Sequence, residues 1–399
     1  MEVHLSMKSF TTYLLVVCSL LVSVACGKSQ SIAAQPQLRV GAERVEEYVD
    51  ALRGVRVAVL ANHTSMVGQQ HLVDMLCEEG IDLKGIFAPE HGFRGGADAG
   101  EHVASGVDEK TGVPIWSLYD GNTHRPSDDV MRQFDVLVVD MQDVGLRFYT
   151  YYISMLRMME ASADYGVDVI VLDRPNPNGM YVAGPILDMK YKSGVGALPI
   201  PVVHGLTMGE IALMAIGEGW VKECKLQIVK CEGYTHQTRY DLPIVPSPNL
   251  PTQHAIYLYP STCLFEGTIC SLGRGTDMPF EVYGHPDYRG SEFCFTPRSR
   301  AGAKNPPLKD TKCWGVDLRG VDDEQIIQRG FNLEYVIDAY NKVGLGEKFF
   351  NRMFELLVGV DYVREMIIAG KSAEEIESMW QAEIEEYNEL RRRYLLYAE

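Results

Sequence analysis

The sequence is poor in positive charge. It has 37 lysine and arginine residues against 54 aspartate and glutamate residues, which gives a formal net charge of −17. No basic patch stands out against this background, so nucleic acid is not an expected partner. The hydrophobic share of 46% and the charged share of 23% are ordinary for a globular protein. At 399 residues the chain is long enough for two domains.

The sequence also lacks the motifs of common cofactor sites. No G-x-G-x-x-G follows the first predicted strand, where "LANHTSMVGQQ" stands, and no Gly-Lys-Ser/Thr ending follows any predicted strand. The serine-hydrolase motif G-x-S-x-G and the zinc motif H-E-x-x-H are absent as well. These absences argue against dinucleotide, P-loop and serine-hydrolase chemistry, and we expect no cofactor.

Nine cysteines are present, but none of them forms a C-x-x-C pair, so their spacing does not indicate zinc. Several lie in apolar runs, where a buried free thiol is the common state. We expect no metal site. The residues that could form one from scattered positions are His63, His91, Asp140 and His204. A metal-dependent hydrolase or deacetylase is therefore one alternative hypothesis, and it predicts loss of activity on chelation.

The N-terminus is typical of an export signal. Lys8 precedes an apolar run from Tyr13 to Val24 that is too short to span a bilayer, and small residues lead to Cys26. "SVAC" resembles a lipobox, although Ser23 stands where a hydrophobic residue is usual. We expect residues 1–26 to be a lipoprotein-type signal peptide with lipidation at Cys26, and residues 27–40 to be a polar tether. The alternative is an ordinary cleaved signal with an incidental cysteine.

This leader predicts an exported protein of the cell envelope. Its only membrane contact would be a lipid anchor, in the periplasm or at the outer membrane.

Five segments are typical of strands in a parallel sheet with helices on both faces. They are "VRVAVLANH", "LKGIFAPEH", "FDVLVVDMQDVG", "VDVIVLDRPNPNG" and "LPIPVVHG". Composition changes near "DLPIVPSPNLPTQ", and a capping box, Ser372 to Glu375, opens the last helix. The fold class expected is α/β, with a Rossmann-like parallel-sheet domain at 41–255 and a smaller α+β domain at 256–399.

Every predicted strand ends in polar side chains, and ligands of open parallel sheets bind beyond the carboxyl ends of the strands. These side chains are Asn62 and His63, Glu90 and His91, Asp140, Gln142 and Asp143, Asp173, Arg174 and Asn176, and His204. Carboxylates and histidines around a cleft without a cofactor motif suit hydrolysis of a glycoside, which needs an acid and a second group. The residues alone thus indicate a hydrolase of a polar substrate.

Seven motifs add a resemblance to a known family. In chain order they are "LANHTS", "APEHGFRG", "VDMQDVGLRFYTY", "LDRPNPNG", "PVVHG", "PSPNLP" and "YPSTCLFEGTICSLGRGTDMPFEVYGHP". Together they resemble the NamZ family of bacterial exo-β-N-acetylmuramidases. The resemblance implies a Rossmann-like domain followed by an auxiliary domain, with the active site between them. It also implies release of terminal N-acetylmuramic acid from the non-reducing ends of peptidoglycan fragments.

The resemblance makes Glu90 the proposed catalytic residue. A glutamate partly withdrawn from water at a strand end can serve as a general acid near neutral pH. Asp143, Glu266 and Asp277 are open alternatives for the second catalytic group. Candidate substrate-binding residues are Asn62, His63, His91, Arg94, Arg147, Tyr149, Asn176, His204 and Arg274. N-acetylmuramic acid differs from N-acetylglucosamine by a lactyl carboxylate. The candidates for binding this carboxylate are, in order of preference, Arg147, Arg94 and Arg274.

The expected partners are peptidoglycan-derived saccharides or muropeptides. A hypothesis from another class is a non-catalytic envelope lipoprotein that binds muropeptides or glycans. Under that hypothesis a Glu90→Gln protein would behave like the wild type in every assay.

Overall fold

The computed structural model describes residues 38–89, 93, 105–118 and 125–399. The strands are β1 (Arg56–Ala61), β2 (Met66–Val67), β3 (Gln70–His71), β4 (Asp82–Ala88), β5 (Gly106–Val107), β6 (Pro114–Ser117), β7 (Val136–Asp140), β8 (Asp168–Leu172), β9 (Leu226–Val229), β10 (Val282–His285), β11 (Cys294–Phe295) and β12 (Cys313–Asp317).

The α-helices are α1 (Val49–Leu52), α2 (Leu72–Glu78), α3 (Asp128–Met131), α4 (Tyr151–Tyr165), α5 (Met208–Gly217), α6 (Gln253–Thr262), α7 (Asp323–Arg329), α8 (Glu334–Val343), α9 (Met353–Val358), α10 (Tyr362–Ile368), α11 (Ala373–Glu377) and α12 (Gln381–Arg391). Short 3₁₀ turns join several of them. The predicted capping box forms at Ser372 and Glu375, but it begins α11 and not the last helix, α12. Among the described residues, no helix is long and apolar enough to cross a membrane.

The main sheet has the strand order β5-β6-β4-β1-β7-β8-β9. All neighbouring strands in it run parallel except the β5–β6 pair. A second, antiparallel sheet has the order β10-β12-β11 and belongs to the smaller α+β part of the chain. The predicted fold class, a Rossmann-like parallel sheet with a second, smaller α+β domain, is confirmed. The exact domain boundaries stay a prediction.

Successive side chains of a strand point to opposite faces of the sheet. Both faces of the parallel sheet are buried, so its central strands contribute to two cores. One face contributes Leu60, Leu137, Val139, Val169 and Val171 to a core that continues through α4 and α5 into the C-terminal helices. The other contributes Val57, Val59, Val138, Ile170 and Leu172 to a smaller core with α1 and α2. The C-terminal part therefore packs on one face of the sheet as part of the larger core.

Four of the five predicted sheet strands are confirmed as β1, β4, β7 and β8, but the fifth is wrong. In "LPIPVVHG" only Val203 makes isolated bridges, to Leu146 and Ala183. Pro199 and Pro201 have no backbone N–H to donate, so the segment cannot join a ladder. The strand beyond β8 is β9, which comes after α5.

Candidate active site

The end of β1 is shaped by Asn62. Its Oδ1 accepts hydrogen bonds from the Thr64 backbone N at 2.9 Å and the Thr64 hydroxyl at 2.6 Å. The next residue, His63, reaches across to the loop 244–251, where its Nε2 lies 2.8 Å from the Val245 carbonyl oxygen. Asn62 is fully buried and shapes the turn, whereas His63 ties the edge of the sheet to this loop.

The ends of β7 and β8 are joined by a buried ion pair. Arg174 donates from Nε to Asp140 Oδ1 at 2.6 Å and from Nη2 to Oδ2 at 2.9 Å. Asp140 is thus a structural residue.

Asn176 also serves the fold. Its Nδ2 donates to the Leu206 carbonyl at 2.9 Å and its Oδ1 accepts from the Asn178 backbone N at 2.8 Å. With its amide engaged and only 3% of the residue exposed, Asn176 is not positioned to bind a substrate.

Arg147 requires a correction. The sequence favoured it as the residue that binds a substrate carboxylate, but its side chain is completely buried. Nη1 donates to the carbonyls of Pro185 and Ile200 at 2.7 and 2.8 Å. Nη2 donates to the carbonyls of Leu357 and Val358 at 2.9 and 2.8 Å. Arg147 therefore holds three chain segments together, and its remaining donor, Nε, is buried where a ligand cannot reach it.

His204 requires a correction too. It follows no sheet strand, and its ring is completely buried, with Nδ1 accepting a hydrogen bond from the Leu206 backbone N at 3.2 Å. Burial, followed by the nearby Arg147 guanidinium, lowers the pKa of His204 to about 3. The imidazole is therefore neutral and inaccessible to substrate.

Asp143 is a buried carboxyl group just past β7. Its Oδ1 accepts from the Gly145 backbone N at 2.7 Å, while Oδ2 is buried without a hydrogen-bond partner. Burial raises the pKa of Asp143 to about 7. Gly145 is required in this turn, since its φ is +82° and a Cβ would lie 2.1 Å from the Asn176 side chain. Asp143 is thus able to hold or release a proton near neutral pH.

A cavity of about 110 Å³ lies where the segment before α4 meets the C-terminal part of the chain. Residues of both parts line it: Phe148, Tyr149, Thr150, Tyr151, Val195, Ser247, Leu250, Tyr259, Glu266, Arg274 and Phe280. The hydroxyl of Tyr149 donates to the Pro246 carbonyl at 2.9 Å, so the loop 244–251 that His63 contacts also forms a wall of this cavity.

An arginine–glutamate pair forms the charged wall of the cavity. Arg274 donates to Glu266 Oε1 from Nε at 2.8 Å and from Nη2 at 2.6 Å. The guanidinium carbon lies 4.9 Å from the centre of the Phe280 ring, a cation–π distance. Asp277, in contrast, is exposed and pairs with Arg300. Its side chain is absent from the residues that line the cavity.

Of the predicted site residues, Tyr149, Glu266 and Arg274 share this cavity. Glu90, His91 and Arg94 lie outside the described residues. Ser247, Tyr151 and Tyr259 also line the cavity and were not predicted. The motif "PSPNLP" was the available signal for Ser247, but a proline-rich loop gives no indication of what it packs against.

Comparison with known proteins identifies the family. Residues 57–254 match the domain family described as exo-β-N-acetylmuramidase NamZ, N-terminal. Residues 257–397 match its C-terminal counterpart. The chain belongs to the NamZ family. The cavity is lined by residues from both matched NamZ regions.

Individual relatives agree with this family. The chain is 36% identical over 385 residues to the peptidoglycan β-N-acetylmuramidase NamZ of Bacillus subtilis, and the match covers 92% of each protein. A crystal structure of a DUF1343 family protein from Bacteroides fragilis superposes with a TM-score of 0.85 at 55% identity, covering 91% of this chain and 99% of that one. A second such protein from the same organism gives 0.75 at 28% identity, covering 90% and 99%.

A metal centre was one alternative for the strand-end histidines. Within residues 38–89, 93, 105–118 and 125–399, no group of three or more His, Cys, Asp or Glu side chains is arranged to hold a metal ion. His63 lies by a backbone carbonyl and His204 is buried in the core, so neither side chain is arranged as a metal ligand.

Proposed function

We propose that this protein is an exo-acting glycoside hydrolase that releases terminal N-acetylmuramic acid from the non-reducing ends of peptidoglycan fragments. The observation that carries the proposal is the match of both NamZ domain families, which together span residues 57–254 and 257–397. The 36% identity to a peptidoglycan β-N-acetylmuramidase points to the same chemistry. The reaction would serve cell-wall turnover and recycling.

In this proposal Glu90 is the general acid that protonates the leaving oxygen. It follows β4 by two residues, and β4 is the neighbour of β1 in the sheet. Ligands of such sheets bind beyond the carboxyl ends of the strands, and Glu90 follows such an end in the sequence.

Two candidates for a second proton-carrying group remain: Glu266, which lines the cavity, and Asp143, which is buried and does not line it. Asp143 lies beyond β7, on the other side of β1 from β4. Burial raises its pKa to about 7, but general acid–base catalysis also needs hydrogen-bond contact with the substrate, which a buried carboxyl group does not make. Glu266 has one carboxylate oxygen occupied by two hydrogen bonds from Arg274, which suits a positioning role better.

A direct test compares two chromogenic substrates, a β-N-acetylmuramide and the matching β-N-acetylglucosaminide. We expect hydrolysis of the muramide and much slower hydrolysis of the glucosaminide. Hydrolysis of neither, together with measurable binding of muropeptides, would favour the non-catalytic binding protein instead. Activity that is lost with EDTA and recovered with a divalent metal would favour the metal-dependent hydrolase.

We also propose that the protein is exported and lipid-anchored through Cys26. The support is the sequence of the first 26 residues, which lie outside the described part of the structure. The protein should partition with membranes, and Cys26→Ser should shift it to the soluble envelope fraction. A Cys26→Ser protein that stays with the membranes would contradict the anchor.

A further inference from the structure

We infer that Arg274, held in place by Glu266, binds the lactyl carboxylate of N-acetylmuramic acid and thereby sets the preference over N-acetylglucosamine. This inference rests on the proposed function, since it concerns the sugar that the same site accepts. The two sugars differ by a lactyl ether that carries a carboxylate. A site that prefers the muramic acid therefore needs a cation or several hydrogen-bond donors aimed at that group.

The arginine that lines the cavity has an unused set of donors. Nε and Nη2 of Arg274 both donate to Glu266, but Nη1 makes no hydrogen bond within the described residues. Nη1 is also not sealed in the protein interior, so solvent or a ligand can contact it. A planar guanidinium with one edge fixed and one nitrogen free suits recognition of a second carboxylate.

Glu266 and Phe280 fix the direction of that free nitrogen. Glu266 accepts hydrogen bonds from the Nε and Nη2 edge of the guanidinium. The ring centre of Phe280 lies 4.9 Å from the guanidinium carbon. Burial opposes the charge on Arg274, but pairing with Glu266 outweighs it and the pKa of the guanidinium is raised. Arg274 thus stays charged, and its side chain remains 19% exposed. A substrate carboxylate on Nη1 would approach the opposite end of the guanidinium from Glu266.

Of the other two candidate arginines, the structure excludes Arg147. Arg147 is completely buried and donates to four backbone carbonyls, so it has no role in ligand binding. Arg94 lies outside the described residues. Among the described residues that line the cavity, Arg274 is the only arginine or lysine.

The chain offers a matched control in Arg364. This arginine donates to Glu355 at 3.0 Å and lies 5.4 Å from the Phe350 ring centre, so it repeats the arginine–glutamate–phenylalanine arrangement. It lines a different cavity, together with Lys190 and Asp361. Arg364→Met therefore removes a similar pair without touching the proposed site.

The experiment measures kcat/KM of the wild type, Arg274→Met and Arg364→Met on three chromogenic substrates. These are the β-N-acetylmuramide, its lactyl methyl ester and the β-N-acetylglucosaminide. We expect Arg274→Met to lose about ten- to a hundredfold on the muramide, the effect of one charge-assisted hydrogen bond. Its rates on the ester and the glucosaminide should stay near those of the wild type. Arg364→Met should match the wild type throughout.

The methyl ester separates carboxylate binding from general damage to the site. The wild type should lose a similar factor when the carboxylate is esterified, whereas Arg274→Met should be insensitive to esterification. Glu266→Gln should raise KM for the muramide more than it lowers kcat, because it loosens the arginine. Arg274→Lys should recover only part of the preference, since lysine lacks the fixed fork.

Equal sensitivity of the wild type and Arg274→Met to esterification would overturn the inference. So would an unchanged muramide-to-glucosaminide ratio in Arg274→Met. If Arg274→Met does not fold, Arg274→Lys takes its place in the comparison on the ester. A smaller effect of esterification than in the wild type would support the inference, and an equal effect would overturn it. Failure of the proposed function has a different signature, because the wild type would then hydrolyse neither glycoside.

Discussion

Glu90→Gln is expected to lower kcat on a disaccharide substrate by about a hundred- to ten-thousandfold, the usual contribution of general acid catalysis. Glutamine keeps the size of the side chain and one acceptor but has no proton to deliver to the glycosidic oxygen. The unfolding temperature and the substrate KM should stay near the wild-type values. Kinetics on the natural disaccharide, with a thermal unfolding scan of both proteins, measure the effect.

The loss should depend on the leaving group. A phenol with electron-withdrawing substituents departs with little protonation, so its hydrolysis should suffer less than that of the disaccharide. The wild-type rate should fall on the alkaline side of the pH profile as Glu90 loses its proton, and this limb should be absent from the residual activity of Glu90→Gln. Equal losses on both substrates would point to a nucleophilic or electrostatic role for Glu90.

Arg147→Met is expected to lower the free energy of unfolding by more than about 3 kcal/mol, since each buried carbonyl left without its donor costs roughly 1–3 kcal/mol. Four carbonyls lose their donor at once, from Pro185, Ile200, Leu357 and Val358. These segments come from both matched NamZ regions, so the loss should loosen the junction that contains the cavity. Urea unfolding of the two proteins measures it.

A matched control is Arg56→Met, which removes an exposed arginine that is paired with Asp135. Its effect on unfolding should be far smaller, because exposed ion pairs contribute little. The folded fraction of Arg147→Met should keep its preference for the muramide. A protein of normal stability with a lost muramide preference would instead restore Arg147 as the residue that binds the carboxylate.

The sequence was sufficient to predict the central sheet because its strands are buried on both faces. β1, β7 and β8 contain nearly continuous apolar runs and β4 ends in one, which is how such strands are recognised. β9 was missed, since only Val229 of its four residues is buried and its pattern is weak. The run around Val203 was mistaken for a strand because its two prolines were given too little weight.

The candidate site was predicted less well because the sequence gives the position of a side chain but not its partners. Arg147 follows the strand that leads to the cavity, yet its guanidinium turns to carbonyls of Leu357 and Val358, more than 200 residues later. Asp140 and Arg174, polar residues at neighbouring strand ends, bind each other rather than a ligand. Contacts between distant segments decide which polar side chains remain available to bind a ligand. Arg274 is one that remains available.

The proposed exo-muramidase activity is tested most directly by mass spectrometry of the products formed from a peptidoglycan glycan strand whose non-reducing end is N-acetylmuramic acid. We expect release of single N-acetylmuramic acid from that end, with the remaining strand shortened by one sugar and no internal cleavage. We also expect no release from a strand that begins with N-acetylglucosamine. Internal fragments, or release of N-acetylglucosamine in place of N-acetylmuramic acid, would contradict the proposed activity.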